Sequence, residues 1–127
     1  RLLAHINEVA EAGLMLADFA YSHWPDEWTK KLDRQELLQI LLLHDLDKYL
    51  LLSDESLEMS IAHGTLSAMI LNDLGFDSRV IEAVASHSPS ASLHLDDPAS
   101  MILHYCDLFS CDHIYMLVSR TPHYCMK

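Results

Sequence analysis

The chain has 127 residues, half of them apolar, and 19 acidic against 8 basic side chains give it a formal charge of −11. That surface repels phosphate backbones, which excludes nucleic-acid binding as the main task, and the length closes one hydrophobic core rather than two. No apolar run reaches membrane-spanning length, so the expectation is one soluble domain with a core over about 2–118 and a tail over 119–127.

The first expected helix runs from about Leu2 to Tyr21, with Leu3, Ile6, Val9, Leu14, Leu16 and Phe19 supplying much of its apolar surface. His5 and Glu8 are three apart near its start and therefore share a side. Ser22 to Lys31 reads as a loop with a short turn; Trp24 and Trp28 are candidates for core cover, with substrate stacking as the alternative, and they and Tyr115 are candidates for a homodimer contact. Asp33 is an N-cap, with Glu36 three residues on completing a capping box, and it opens a second helix through Leu37, Leu38, Leu41 and Leu42.

That helix ends in QILLLHDLDKYL, Gln39 to Leu50, where an aliphatic run drives into His44 and Asp45 with Lys48 one turn on. Two readings stand at this point. Either the helix surfaces after Leu43 and the pair is solvated, or the pair is drawn out of water with the leucines and needs a partner, a metal ion being the commonest.

Ser53 to Glu58 is polar and acidic and bridges to a third helix, roughly His63 to Leu74, that Gly75 ends as its C′ residue with Phe76 supplying a hydrophobic contact. Asp77 or Ser78 caps a fourth, Arg79 to about Ser86, with Val80, Ile81 and Val84 as its buried stripe and His87 at its end. Ser88 to Asp97, with His94, is the longest irregular stretch; Pro98 then starts a fifth helix reaching about Val118. Strand signals are absent, so the fold class is all-α. Cys106, Cys111 and Cys125 are odd in number and lack CxxC spacing, which argues against a disulfide framework and a thiolate zinc site and for a reducing cytoplasm.

Ionisable residues inside these apolar helices or at their ends form a set: His5, His44, Asp45, His63, His87 and Asp107. Each has a plain reading by itself. His5 suits a surface, His63 a helix cap, His87 a helix dipole, and Asp107 a pairing with His104. Together they come from all five helices, as a bundle converging on one polar centre would require. Imidazole and carboxylate donors without thiolate suit iron, manganese, nickel or zinc.

In order, spacing and flanking residues the set resembles the HD-domain metal-dependent phosphohydrolase superfamily. His5 lies in AHINEVAEAG, the pair in LLLHDLDK, His63 in IAHGTLSAMILNDLGF, His87 in VIEAVASHSP and Asp107 in ILHYCDLF. The resemblance runs from about His5 to His113 and implies a compact five-to-six-helix bundle with a metal centre in its core. It implies one ion held by His5, His44, Asp45 and Asp107, and a second held by His63 and His87 with Asp45 bridging. The ions would be one or two of Fe, Mn, Ni, Zn or Mg. Members with the two extra histidines include a branch that hydrolyses symmetric dinucleoside polyphosphates, which bears on metal count more than on substrate.

The implied activity is hydrolysis of a phosphoester or phosphoanhydride bond in a nucleotide or other small phosphorylated metabolite, through a metal-bound hydroxide, in the cytoplasm. Lys48 is the candidate phosphate contact or leaving-group stabiliser, its plain alternative being a helix-end salt bridge. Asp47, His94 and Asp112 are candidate substrate contacts, with His113 nearby. Many members read HDIGK or HDIAK where this chain has HDLDK, so Asp47 replaces a small residue and bears on substrate choice. The alternatives are a non-catalytic metal- or ligand-binding regulatory domain and an HD-type di-iron oxygenase.

Overall fold

The computed structural model describes residues 2–50, 64–87 and 97–117, except for the side chains of 2, 49, 50, 112 and 114–117. Seven helices occur among them and no strand: α1 (Leu2–His23), α2 (Asp26–Thr29), α3 (Arg34–Leu43), α4 (Leu46–Leu50), α5 (Thr65–Asp73), α6 (Ser78–Ala85) and α7 (Pro98–Leu117). The chain is all-α, as expected. The five long helices carry the bundle, and α2 and α4 are short connectors. None of the described helices is long and apolar enough to cross a membrane. The Ser53–Glu58 bridge, His63, His94, Cys125 and the 119–127 tail lie outside the described residues, as do the side chains of Asp112 and Tyr115.

Local chemistry sets the helix ends. Asp33 accepts from the backbone N–H groups of Gln35 and Glu36 at 2.8 and 3.1 Å, satisfying two donors that α3 leaves open. Asp77 does the same for α6 through Arg79 N–H at 2.9 Å. At the end of α5, Gly75 takes φ +84°, its N–H donates to Asn72 O and that of Phe76 to Leu71 O, both at 3.1 Å. That pair of bonds is a Schellman motif, and Phe76 packs on the core beside it.

Helix α3 is the axis, packing on α1, α6 and α7. Leu37, Ile40 and Leu41 of α3 meet Val9, Ala17 and Ala20 of α1, Val80, Ala83 and Val84 of α6, and Ile102, Leu103 and Cys106 of α7. The buried face of α1 differs from the expected one. It runs through Ile6, Val9, Gly13, Ala17 and Ala20, whereas Leu3 and Phe19 are exposed and Leu14 and Leu16 half-buried. The reason is close approach: a Cβ on Gly13 would stand 2.5 Å from Leu41 Cδ1, so α1 lays its small residues against α3 and turns large ones outward. In α3, likewise, Leu38 and Leu42 are exposed, and in α6 Ala83 takes the buried place expected for Ile81, which is half-buried. Trp24 packs against the core, matching its reading as core cover.

Candidate metal centre

Four ligand atoms, one each from His5, His44, Asp45 and Asp107, lie within 4.8 Å of one another, and all four residues are buried. They arrive from α1, from the turn between α3 and α4, and from α7. The Nε2 of His5 is 2.9 Å from Asp107 Oδ1 and 3.3 Å from Asp45 Oδ2. The Nε2 of His44 is 3.3 Å from each of the same two oxygens. The two Nε2 atoms face each other at 3.4 Å. From the far side, His87 brings its Nε2 to 3.6 Å from the other oxygen of Asp45, Oδ1.

The opposite ring nitrogens explain how the imidazoles are aimed. Nδ1–H of His44 donates to Leu41 O at 2.8 Å, and Nδ1–H of His87 donates to Val84 O, each one helical turn back along its own chain. A carbonyl only accepts, so a proton sits on each Nδ1, and either ring, when neutral, presents its lone pair at Nε2. His5 Nδ1 instead meets the hydroxyl of Ser110, on α7, at 2.9 Å. Gly64, which opens α5 at φ +93°, leaves room for His87: a Cβ there would stand 3.2 Å from the imidazole and 2.7 Å from Val84 O.

Lone pairs on two Nε2 atoms facing two carboxylate oxygens repel one another unless a cation lies between them. In the metal-free chain protons serve. Burial opposes the imidazolium of His44, but hydrogen bonds to Asp107 and Asp45 outweigh it and raise His44 to about 10. His5 is raised by the same balance of burial against Asp107 and Asp45. Burial pushes Asp107 upward, yet the hydrogen bonds from His44 and His5 hold it well below the usual carboxylate range. A divalent ion would meet the same demand with two neutral nitrogens and two anionic oxygens, a donor set suited to hard and borderline metals. The residues fit such an ion.

Lys48, half-buried, reaches Asp45 Oδ2 with Nζ at 3.5 Å. Burial lowers its pKa, and the charges of Asp45 and Asp107 override that and raise it. Cys106 and Cys111 are pushed up to about 11 and about 12, by burial first and by Asp107 next, so both thiols stay protonated in the metal-free chain.

Of the residues singled out in the sequence, the fold brings together His5, His44, Asp45, His87, Asp107 and Lys48. His5 is buried, not at the surface. Asp107 turns to His5 and His44, while His104 rests edge-on against the ring of Tyr105. The carboxylate of Asp47 is buried and accepts from the N–H of Lys48, and the N–H of Asp47 donates to Ser67 Oγ at 2.8 Å. His113 is exposed and pairs with Glu8 at 2.9 Å, between α7 and α1. Ser110 went unremarked in the sequence. Its only signal there is its place three residues beyond Asp107, on the same side of α7.

A comparison with protein-family models matches the HD domain over residues 2–112. Searches of curated proteins and of solved structures returned no match.

Proposed function

The chain belongs to the HD-domain family, and on that premise we propose that it is a divalent-metal phosphohydrolase acting on a nucleotide or another small phosphorylated metabolite. The observation that carries this is the two-sided use of Asp45. Its Oδ2 faces His5 and His44 while its Oδ1 faces His87 at 3.6 Å, so one carboxylate stands between a pair of imidazoles and a third. In this reading His5, His44, Asp45 and Asp107 would hold one ion, and His87, with Asp45 and the sequence-expected His63, would hold a second.

Divalent ions at such a centre supply an activated water near neutral pH and offset charge on phosphoryl oxygens. The chain's own residues supply the rest. Hydrogen bonds at Nδ1 hold the rings in one orientation, so no reorganisation is needed when the ligands engage. Burial of His44 and Asp45 keeps bulk water from screening the centre. Lys48 is 35% exposed at its side chain, which sets an ammonium where it can meet a phosphoryl or leaving-group oxygen entering from solvent. With a net charge of −11, a long phosphate backbone would meet repulsion along the chain, whereas a small anion need meet only the metal-bearing centre.

The test is metal content of anaerobically purified protein, followed by a screen of nucleotides and phosphoesters with the bound metal. Two equivalents with phosphate release support the reading. One equivalent would cut the site to a mononuclear one, and no metal under any loading condition would sink it.

A further inference from the structure

Three imidazoles converge on Asp45 and Asp107, and they are aimed by two different means. His44 and His87 lean on carbonyls of their own helices, Leu41 and Val84, an acceptor that any residue at those positions would provide. His5 leans on a side chain, the hydroxyl of Ser110, 105 residues away in sequence and fully buried. We infer that Ser110 is the positioning residue of His5: its hydroxyl, held on α7, turns the ring on α1 so that Nε2 points at Asp107 and Asp45.

Geometry supports the assignment from both ends of the ring. His5 Nδ1 is 2.9 Å from Ser110 Oγ, and His5 Nε2 is 2.9 Å from Asp107 Oδ1. Asp107 and Ser110 sit three apart on one side of α7, so this helix supplies both a carboxylate of the centre and the group that orients the imidazole opposite it. Helix α7 thereby clamps α1 at two points of one ring. A serine also differs from a carbonyl in kind, since it both donates and accepts. It can hold His5 whichever ring nitrogen carries the proton, whereas Leu41 and Val84 allow His44 and His87 one tautomer each.

The inference concerns this chain's residues, and it meets the proposed function where Nε2 becomes a ligand. The test compares Ser110→Ala, His5→Ala and the double variant, with Ser100→Ala as control. Ser100 is another buried serine of α7, bonded to Asp97 at 2.8 Å, away from His5. In titrations with Mn²⁺, Ser110→Ala is expected to bind about 10–100-fold more weakly, as groups that orient a ligand typically do, and Ser100→Ala to bind as the unaltered chain does. In the His5→Ala background the serine change should add no further loss, because its effect passes through the ring. The proposal is overturned if Ser110→Ala binds within about twofold of the unaltered chain, or if the two single losses multiply in the double variant.

The second readout needs no metal. A long-range proton–nitrogen correlation spectrum of the metal-free chain reports the ring nitrogens of His5, and they should shift in Ser110→Ala and stay in Ser100→Ala. If the unaltered chain binds no Mn²⁺, the metal reading fails and this spectrum alone judges Ser110: a shifted His5 ring supports its role, an unmoved one ends it.

Discussion

The two oxygens of Asp45 face unlike surroundings. On the Oδ2 side, His5, His44 and Asp107 close in from three parts of the fold, with N–O distances of 2.9 to 3.3 Å. On the Oδ1 side, His87 stands at 3.6 Å, beyond the end of the eight-residue α6 and against Gly64. The first side is framed by the two longest helices and by the α3 axis, and its donors are nearly in contact before any ion arrives. The second is framed by shorter elements and looser distances. Preorganisation differs across a single carboxylate, and affinity should follow it, because a site that is already assembled loses less freedom on binding.

Replacing the shared residue should erase the contrast. Asp45→Ala is expected to lose metal on both sides and to lower the proposed phosphohydrolase activity by roughly 10³-fold or more, the equivalent of several kcal/mol of charge stabilisation. Elemental analysis and turnover assays check this, and an Asp45→Ala protein with full metal content would remove the bridging assignment. Next in size are the one-sided changes. Asp107→Ala should empty the Oδ2 side, whereas His87→Ala should leave one ion in place and weaken only the other. Calorimetric titration of both variants separates the sides, and loss of both ions from either single variant would show that the two sides are not independent.

The glycines probe the same contrast through the backbone. Gly64→Ala forces an alanine into a left-handed conformation, at a cost of about 1–2 kcal/mol, and presses a methyl group toward the His87 ring. It should lower the melting temperature and weaken the Oδ1 side. Gly13→Ala overpacks Leu41, with an expected cost of about 1–3 kcal/mol, and should lower the melting temperature while leaving metal stoichiometry unchanged. Thermal melts beside metal titrations distinguish them.

A further difference is in pH dependence, and it belongs to the Oδ2 side. His44 is raised from 6.5 to about 10 in the metal-free chain, so its contribution to stability is fully present below pH 6.5 and is lost as the pH rises through about 10. A metal must displace that proton, so its affinity should increase over the same window. Melting temperature should therefore fall across this window without metal and stay level with saturating metal, and parallel curves would contradict the assignment of His44.

Much of the fold was legible because it rests on local chemistry. Asp33 and Asp77 cap helices through their own side chains, Gly75 ends α5 because the backbone there turns left-handed, and Pro98 opens α7. The centre was partly legible for a related reason. A histidine and a carboxylate at the end of a leucine run, and an aspartate inside ILHYCDLF, are too costly to bury alone, so each announces a partner.

The partners themselves were decided by packing. Nothing in the spacing of Asp107 favours His5 and His44 over His104, one turn away, and nothing marks Ser110 as the group beside His5. Those choices follow from how α7 lies against α1. The inner face of α1 follows the same rule: apolar periodicity favoured Leu3 and Phe19, but the approach of α3 at Gly13 selected the small residues instead. Composition, caps and buried charges are properties of a short stretch of chain and can be read from it. Which stretch meets which is set by the shapes of whole helices in contact, and that exists only once the chain has folded.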